Sequence, residues 1–248
     1  MQARLPLPYC AAAVALAVNL STLCFAQFAP ITSRATATHV KADMLNEWLD
    51  LQKNEVVPAL KKAGVKTRTV YVSGLFGTAG EYVIIQPFEK YAEFDGESPL
   101  VKALGAAGAG RLNEKLRKCL LSQNSYAINR LTDISNMIEG PPAPILVTAR
   151  YRIAPGRIQD FQNLVKSDIL PVYKKAKVGL IVNQRGPGAN IADVTMSTAY
   201  SKMADLDGGP LLVKQLGQDG ANKINAKFLG IRTLVEVVVR NRVADLSF

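Results

Sequence analysis

Residues 129–135 read NRLTDIS, and the closely similar NRVADLS occupies residues 241–247 at the C-terminus. The two stretches are 112 residues apart (241 − 129). The same offset relates residues 95–105 to residues 207–217, which share DG, LVK and LG at matching positions. Repeats in solenoid proteins run about 20 to 50 residues, so this longer period predicts two duplicated halves.

The composition predicts a globular protein with two small domains. Of the 248 residues, 48% are hydrophobic and 20% are charged, which is typical of folded proteins. The offset places a first repeat at residues 27–135 and a second at residues 145–248. Residues 136–144, which contain the sequence GPP, are predicted to link them.

Residues 1–26 have the pattern of a secretory signal peptide. Arg4 supplies a positive charge, an apolar stretch follows, and small residues precede a cleavage point after Ala26. The alternative is an uncleaved membrane anchor, but the segment is short for a span and contains polar residues. We therefore expect an exported protein, periplasmic or extracellular, that begins near Gln27 and keeps no stable membrane span.

Each half is predicted to have the element order strand, helix, strand, strand, helix, strand. Residues 145–153 alternate in the way of a half-buried strand, and residues 157–175 carry apolar side chains at helical spacing. Pro171 is predicted to bend or interrupt that helix. Residues 35–41 and 43–63 match these two elements in the first half. The order βαββαβ is that of the ferredoxin-like unit, so the predicted class is α+β.

With this element order and its duplication, the chain resembles the dimeric α/β-barrel superfamily, which includes the antibiotic-biosynthesis-monooxygenase-like proteins. The resemblance implies two ferredoxin-like repeats packed sheet on sheet, as a fused pseudo-dimeric α/β barrel within one chain. It covers nearly the whole mature chain as fold order plus duplication. No catalytic motif of a named subfamily matches.

Strand alternation predicts which charged side chains face the space between the sheets. If Ile145 and its face pack on helices, the opposite face of that strand points at the other sheet. The first and last strands of a ferredoxin-like unit are neighbours, so their charged residues converge. The predicted ligand-binding residues are Arg150, Arg152, Arg240, Arg242, Glu236, His39 and Arg130. Either carboxylates such as Glu236 and Asp193 satisfy these arginines in a polar seam, or a bound anion does.

The sequence favours neither a metal centre nor a cofactor. His39 is the only histidine, which excludes a multi-histidine metal site, and no HExxH, CxxC or P-loop pattern occurs. A net charge of +10 favours anionic ligands. The positive residues are nevertheless spread along the chain and aromatic residues are few, so we expect no nucleic-acid partner.

We therefore expect an exported small-molecule-binding protein, whose partner is a small anionic or partly apolar molecule. The superfamily resemblance leaves a cofactor-independent monooxygenase-like enzyme as an alternative. A purely structural envelope protein, in which the duplication serves self-association, is the third interpretation, and oligomerisation stays open.

Overall fold

The computed structural model describes residues 32–248, which form one closed eight-stranded barrel with helices outside it. The predicted signal peptide lies outside the described residues. The strands are β1 (Thr32–Val40), β2 (Thr69–Ser73), β3 (Glu81–Phe88), β4 (Leu120–Arg130), β5 (Ile145–Ile153), β6 (Gly179–Arg185), β7 (Asp193–Tyr200) and β8 (Arg232–Arg242). None of the helices within residues 32–248 combines the length and apolarity needed to cross a membrane.

The strands of each half form one antiparallel sheet, in the orders β4-β1-β3-β2 and β8-β5-β7-β6. Two short seams close these sheets into a barrel. In one, β2 pairs with β8 and Tyr71 lies opposite Arg242. In the other, β4 pairs with β6 and Arg130 lies opposite Asn183. The predicted fold class, two ferredoxin-like units joined sheet on sheet as an α/β barrel, is confirmed.

Four helical rods cover the outer faces of the barrel. Their α-helical segments are α1 (Leu45–Leu51), α2 (Val57–Lys62), α3 (Pro99–Lys118), α4 (Ile158–Leu164), α5 (Leu170–Ala176) and α6 (Leu211–Lys227). The π-helical turns Gln52–Val56 and Val165–Ile169 join α1 to α2 and α4 to α5. Each turn immediately precedes a segment with proline in its first turn, Pro58 or Pro171. Because proline cannot donate the backbone hydrogen bond of a regular α-helix, the hydrogen-bond pattern changes to a π turn just before each proline. The second helix is therefore irregular before Pro171 but continues to Ala176.

Each half has its own apolar core between its helices and its sheet. Trp48 packs against Tyr82 in the first core, with ring centroids 4.4 Å apart. Phe161 packs edge-on to Phe228 in the second, at 5.9 Å. The predicted orientation of β5 holds, because Ile153 lies in the second core. Burying each large apolar side chain contributes about 1.5–3 kcal/mol, so these cores anchor the sheets that form the barrel.

The two similar heptapeptides exchange apolar side chains between the halves. After β4, the 3-10 turn Thr132–Ile134 carries Ile134, 3% exposed, into the core of the second half. After β8, the turn Ala244–Leu246 carries Leu246, 2% exposed, into the core of the first half. The end of each half therefore completes the core of the other.

The last serine of each heptapeptide fixes this exchange by hydrogen bonds. The Ser135 hydroxyl accepts a hydrogen bond from the Val182 amide of β6 at 3.0 Å, and the Ser247 hydroxyl accepts one from the Val70 amide of β2 at 3.0 Å. Each hydroxyl also donates to the carbonyl four residues earlier, at 2.8 Å for Ser135 and 2.7 Å for Ser247. The heptapeptides act as two clasps, one at each seam of the barrel.

Candidate ligand cavity in the barrel

A cavity of about 1080 Å³ lies between the two sheets. All eight strands contribute to its lining, and residues 136–144 line one end of it. We call this the linker end, and the opposite end of the barrel the far end. An eight-stranded barrel is just wide enough either to be filled by side chains or to hold one small ligand. A volume of this size is in the range of pockets that take small organic molecules.

The two halves give the cavity different walls. On β3, Val83 and Ile85 present an apolar wall. On β7, which holds the equivalent place in the other sheet, Thr195 and Ser197 present hydroxyl groups instead. The Ser197 hydroxyl lies 2.8 Å from that of Thr148 on β5. A molecule in the cavity would therefore meet an apolar surface on one side and a polar one on the other.

Two arginines at the linker end have no carboxylate partner among residues 32–248. Arg130 and Arg242 end β4 and β8, so they hold equivalent places in the two halves. No ion pair joins either of them to a carboxylate in the part of the chain that the structure describes, and the Nε atom of Arg130 is buried without a hydrogen-bond partner there. Burial lowers the pKa of Arg130. Asp245, which follows β8, pairs instead with Lys53 on the outer surface.

Tyr71 lies beside these arginines. Its hydroxyl donates a hydrogen bond to the Ala143 carbonyl at 3.1 Å, which ties the linker to β2. Burial raises the pKa of Tyr71 to about 12, while the positive charges of Arg242 and Arg130 act in the opposite direction. The phenol therefore stays protonated at neutral pH and keeps its hold on the linker.

At the far end of the barrel the arginines are satisfied within the protein. Asp193, whose side chain is 2% exposed, accepts a hydrogen bond from Arg150 at 3.0 Å and another from Arg152. Arg150 also donates to Glu236 at 2.7 Å. Burial alone would raise the pKa of Asp193, but the hydrogen bonds from Arg152 and Arg150 outweigh it and lower that pKa. A hydrogen bond from Arg150 is likewise the largest cause of the lowered pKa of Glu236.

Arg185 and Arg240 line the cavity between these two ends. Arg240 donates to Glu81 at 2.8 Å. The guanidinium of Arg185 stacks over Tyr126, 4.7 Å from the ring centroid, and lies 4.0 Å from Asp193. Their Nε atoms are buried without hydrogen-bond partners among residues 32–248.

The structure thus divides the seven predicted site residues between two places. Those that line the cavity are Arg130, Arg240 and Arg242, while Arg150, Arg152, Glu236 and His39 do not line it. His39 lies near the far end of β1, opposite Glu81 on β3. The sequence left a polar seam of ion pairs and a bound anion as alternatives. The structure shows the ion pairs at the far end, and at the linker end it places two arginines that pair with no carboxylate among residues 32–248.

The prediction did not include Tyr71, Tyr126 and Arg185. Alternation along β2 and β6 gives a signal for two of them, since Thr69 and Tyr71 share a face and so do Asn183 and Arg185. Tyr126 shares the inner face of β4 with Arg130 but carries no charge, so the convergence of charged residues gives no signal for it.

The structure resembles solved structures at low sequence identity. An anthrone oxidase-like protein superposes with a TM-score of 0.58 at 10% identity, over 86% of this chain and 92% of its own. A candidate monooxygenase from Fusobacterium nucleatum gives 0.55 at 10% identity, over 87% and 93%. A heme-binding protein from Thermus thermophilus gives 0.50 at 7% identity, over 88% and 92%.

At identities this low the likenesses show the fold alone, a barrel of two α+β units, which is the fold that the sequence predicts. No protein-family profile matches the sequence, and no curated protein matches it either.

Proposed function

We propose that this protein binds a small organic molecule in the barrel cavity, and that it does so after export. The observation that carries the binding proposal is the cavity of about 1080 Å³, with one apolar wall and two arginines that pair with no carboxylate among residues 32–248. Export rests on the signal-peptide pattern of residues 1–26.

The cavity supports binding over a purely structural role. A barrel selected only for stability would gain from filling this space, because unfilled volume costs dispersion contacts and burial energy. Instead the lining combines apolar side chains such as Val83 and Ile85 with the guanidinium groups of Arg130 and Arg242. Placing guanidinium groups at the cavity without carboxylate partners carries a cost that an external anion would offset.

The monooxygenase-like alternative has less support from the site. An oxygenase that works without a cofactor needs a base to activate its substrate. The carboxylates that line the cavity are Glu139 and Asp205, both among residues at the linker end, and the lining contains no histidine. The lining favours holding an anion over removing a proton from a substrate.

Haem, which the Thermus thermophilus protein binds, does not fit this cavity through a histidine ligand. His39 is the only histidine of the chain and is not part of the lining. Residues 32–248 contain no group of three or more histidine, cysteine or acidic side chains that could hold a metal ion.

The test is native mass spectrometry of the protein purified from its own host. We expect a retained small molecule in the wild-type protein and its loss in Ile85→Trp, because the indole would occupy the cavity beside the apolar wall. Ile191→Trp is the matched control, since Ile191 is 67% exposed on the surface. A wild-type protein without any bound molecule, or retention unchanged in Ile85→Trp, would contradict the proposal.

A further inference from the structure

We infer that the ligand is an amphiphilic carboxylate, with its carboxylate between Arg130 and Arg242 and its apolar body along the β3 wall. This inference rests on the proposed function, since it names the class of molecule that the cavity binds. Two independent observations carry it, the placement of unpaired guanidinium groups at one end and the asymmetry of the two walls.

The first observation fixes the position of the anionic group. Each of the other cavity arginines has a neighbouring group of the protein, since Arg240 donates to Glu81 and Arg185 stacks on Tyr126 near Asp193. Arg130 and Arg242 pair with no carboxylate among residues 32–248, and both line the linker end of the cavity, where Arg242 lies opposite Tyr71 across the seam of β2 and β8. Two guanidinium groups at one end of the cavity provide planar forks of donors, which match the two oxygens of a carboxylate.

The second observation fixes the position of the apolar body. Val83, Ile85 and Pro87 line the cavity from β3, whereas the equivalent places on β7 hold Thr195, Ser197 and Ala199. The β3 wall therefore continues as an apolar surface along the barrel. At about 25 cal/mol per Å² of buried apolar area, covering this wall favours a hydrocarbon or aromatic body over a fully polar ion.

The linker adds to this apolar surface near the anion site. Met137 and Ile138 belong to the lining, and both side chains are about half exposed. Lys177 and Lys214 line the same end of the cavity. Glu139 and Asp205 also line this end, but its lysines and arginines outnumber these two carboxylates. A ligand that enters past the linker would therefore meet net positive charge and apolar side chains together, which suits an amphiphile better than a small inorganic anion.

The experiment is a fluorescence titration of the full-length protein with 11-(dansylamino)undecanoic acid and, separately, with its methyl ester. The two probes share one apolar body and differ in a single charge. We expect the acid to bind at least tenfold more tightly than the ester. Arg130→Gln and Arg242→Gln should each weaken binding of the acid about tenfold, corresponding to the loss of one charge-assisted contact, and leave binding of the ester unchanged.

Arg111→Gln is the matched control, because it removes the same charge from an exposed site on α3. It should leave both titrations unchanged. Circular dichroism of each variant shows whether it has folded, and the comparison of acid with ester in the wild-type protein needs no variant at all.

Equal affinity for the two probes would overturn the carboxylate assignment and leave binding in the cavity intact. Binding of neither probe would also overturn it, while the native mass spectrometry of the proposed function would still decide whether the cavity holds another molecule. Tighter binding of the acid that is unchanged in both arginine variants would place the anion elsewhere and overturn the assignment to Arg130 and Arg242.

Discussion

Leu246→Ala should destabilise the whole barrel, although Leu246 lies two residues from the end of the chain. The side chain is 2% exposed and belongs to the core of the first half, which it reaches from the last strand of the second. Truncating a buried leucine to alanine costs about 2–5 kcal/mol. We expect about 2–3 kcal/mol, the lower part of that range, because the short 3-10 turn Ala244–Leu246 can relax in part into the space that the side chain leaves.

Urea unfolding measures this effect, with Trp48 as the probe. Trp48 is the only tryptophan and lies buried in the same core as Leu246. A loss of about 2–3 kcal/mol in a protein of this size lowers the melting temperature by roughly 4–12 °C. Because the clasps couple the two cores, we expect Trp48 fluorescence and far-ultraviolet circular dichroism to report one coincident transition.

Leu234→Ala is the control, since Leu234 is 54% exposed on β8 and its truncation should change the free energy of unfolding by less than about 0.5 kcal/mol. A loss below about 1 kcal/mol in Leu246→Ala would show that the clasp contributes little. Separate transitions for the two probes in the wild-type protein would refute the coupling of the halves itself.

The far end of the barrel gives a contrast between two arginines. Arg150→Ala should cost about 3 kcal/mol, because it removes a partner from two carboxylates, one of them buried. Arg152→Ala should cost clearly less, because Arg152 is more exposed and Asp193 keeps Arg150. Thermal melting of both variants checks this, and equal losses would contradict the ranking. Asp193 should also make stability depend on pH. The pKa of Asp193 is lowered in the folded protein. Its contribution to the free energy of unfolding is therefore complete above the unfolded pKa of about 3.9 and is lost as the pH falls through the folded pKa. Melting curves at falling pH should show that this part of the acid dependence is absent in Asp193→Asn. A chain of residues 27–139 should be unstable or should self-associate, since its core lacks Leu246 and its sheet lacks a partner; a monomer that unfolds cooperatively in sedimentation and melting experiments would refute this. The exported protein should begin near Gln27, as N-terminal sequencing would show, and an intact Met1 terminus in membrane fractions would contradict export.

The sequence predicted the fold class because its evidence is local or is repeated along the chain. Alternation in residues 145–153 gives the strand and its helix-facing side, and helical spacing gives the rods. Gly105 and Gly217 kink α3 and α6 at matching positions, where each has a positive φ of 70° that glycine tolerates. The offset of 112 residues then relates two units of the same order, and a ferredoxin-like sheet with one open face needs another sheet to cover it.

The tertiary structure alone decided how the two halves join and which arginines pair with carboxylates. The sequence marks Ile134 and Leu246 as apolar, but only the register of the two seams carries each of them into the core of the other half. It likewise places several arginines on inner faces. Arg150 lies beside Asp193, whereas Arg130 faces the cavity. This difference depends on how far each strand is shifted along the barrel relative to its neighbours. That shift is set by hydrogen-bond pairing between strands distant in sequence, which local periodicity does not encode.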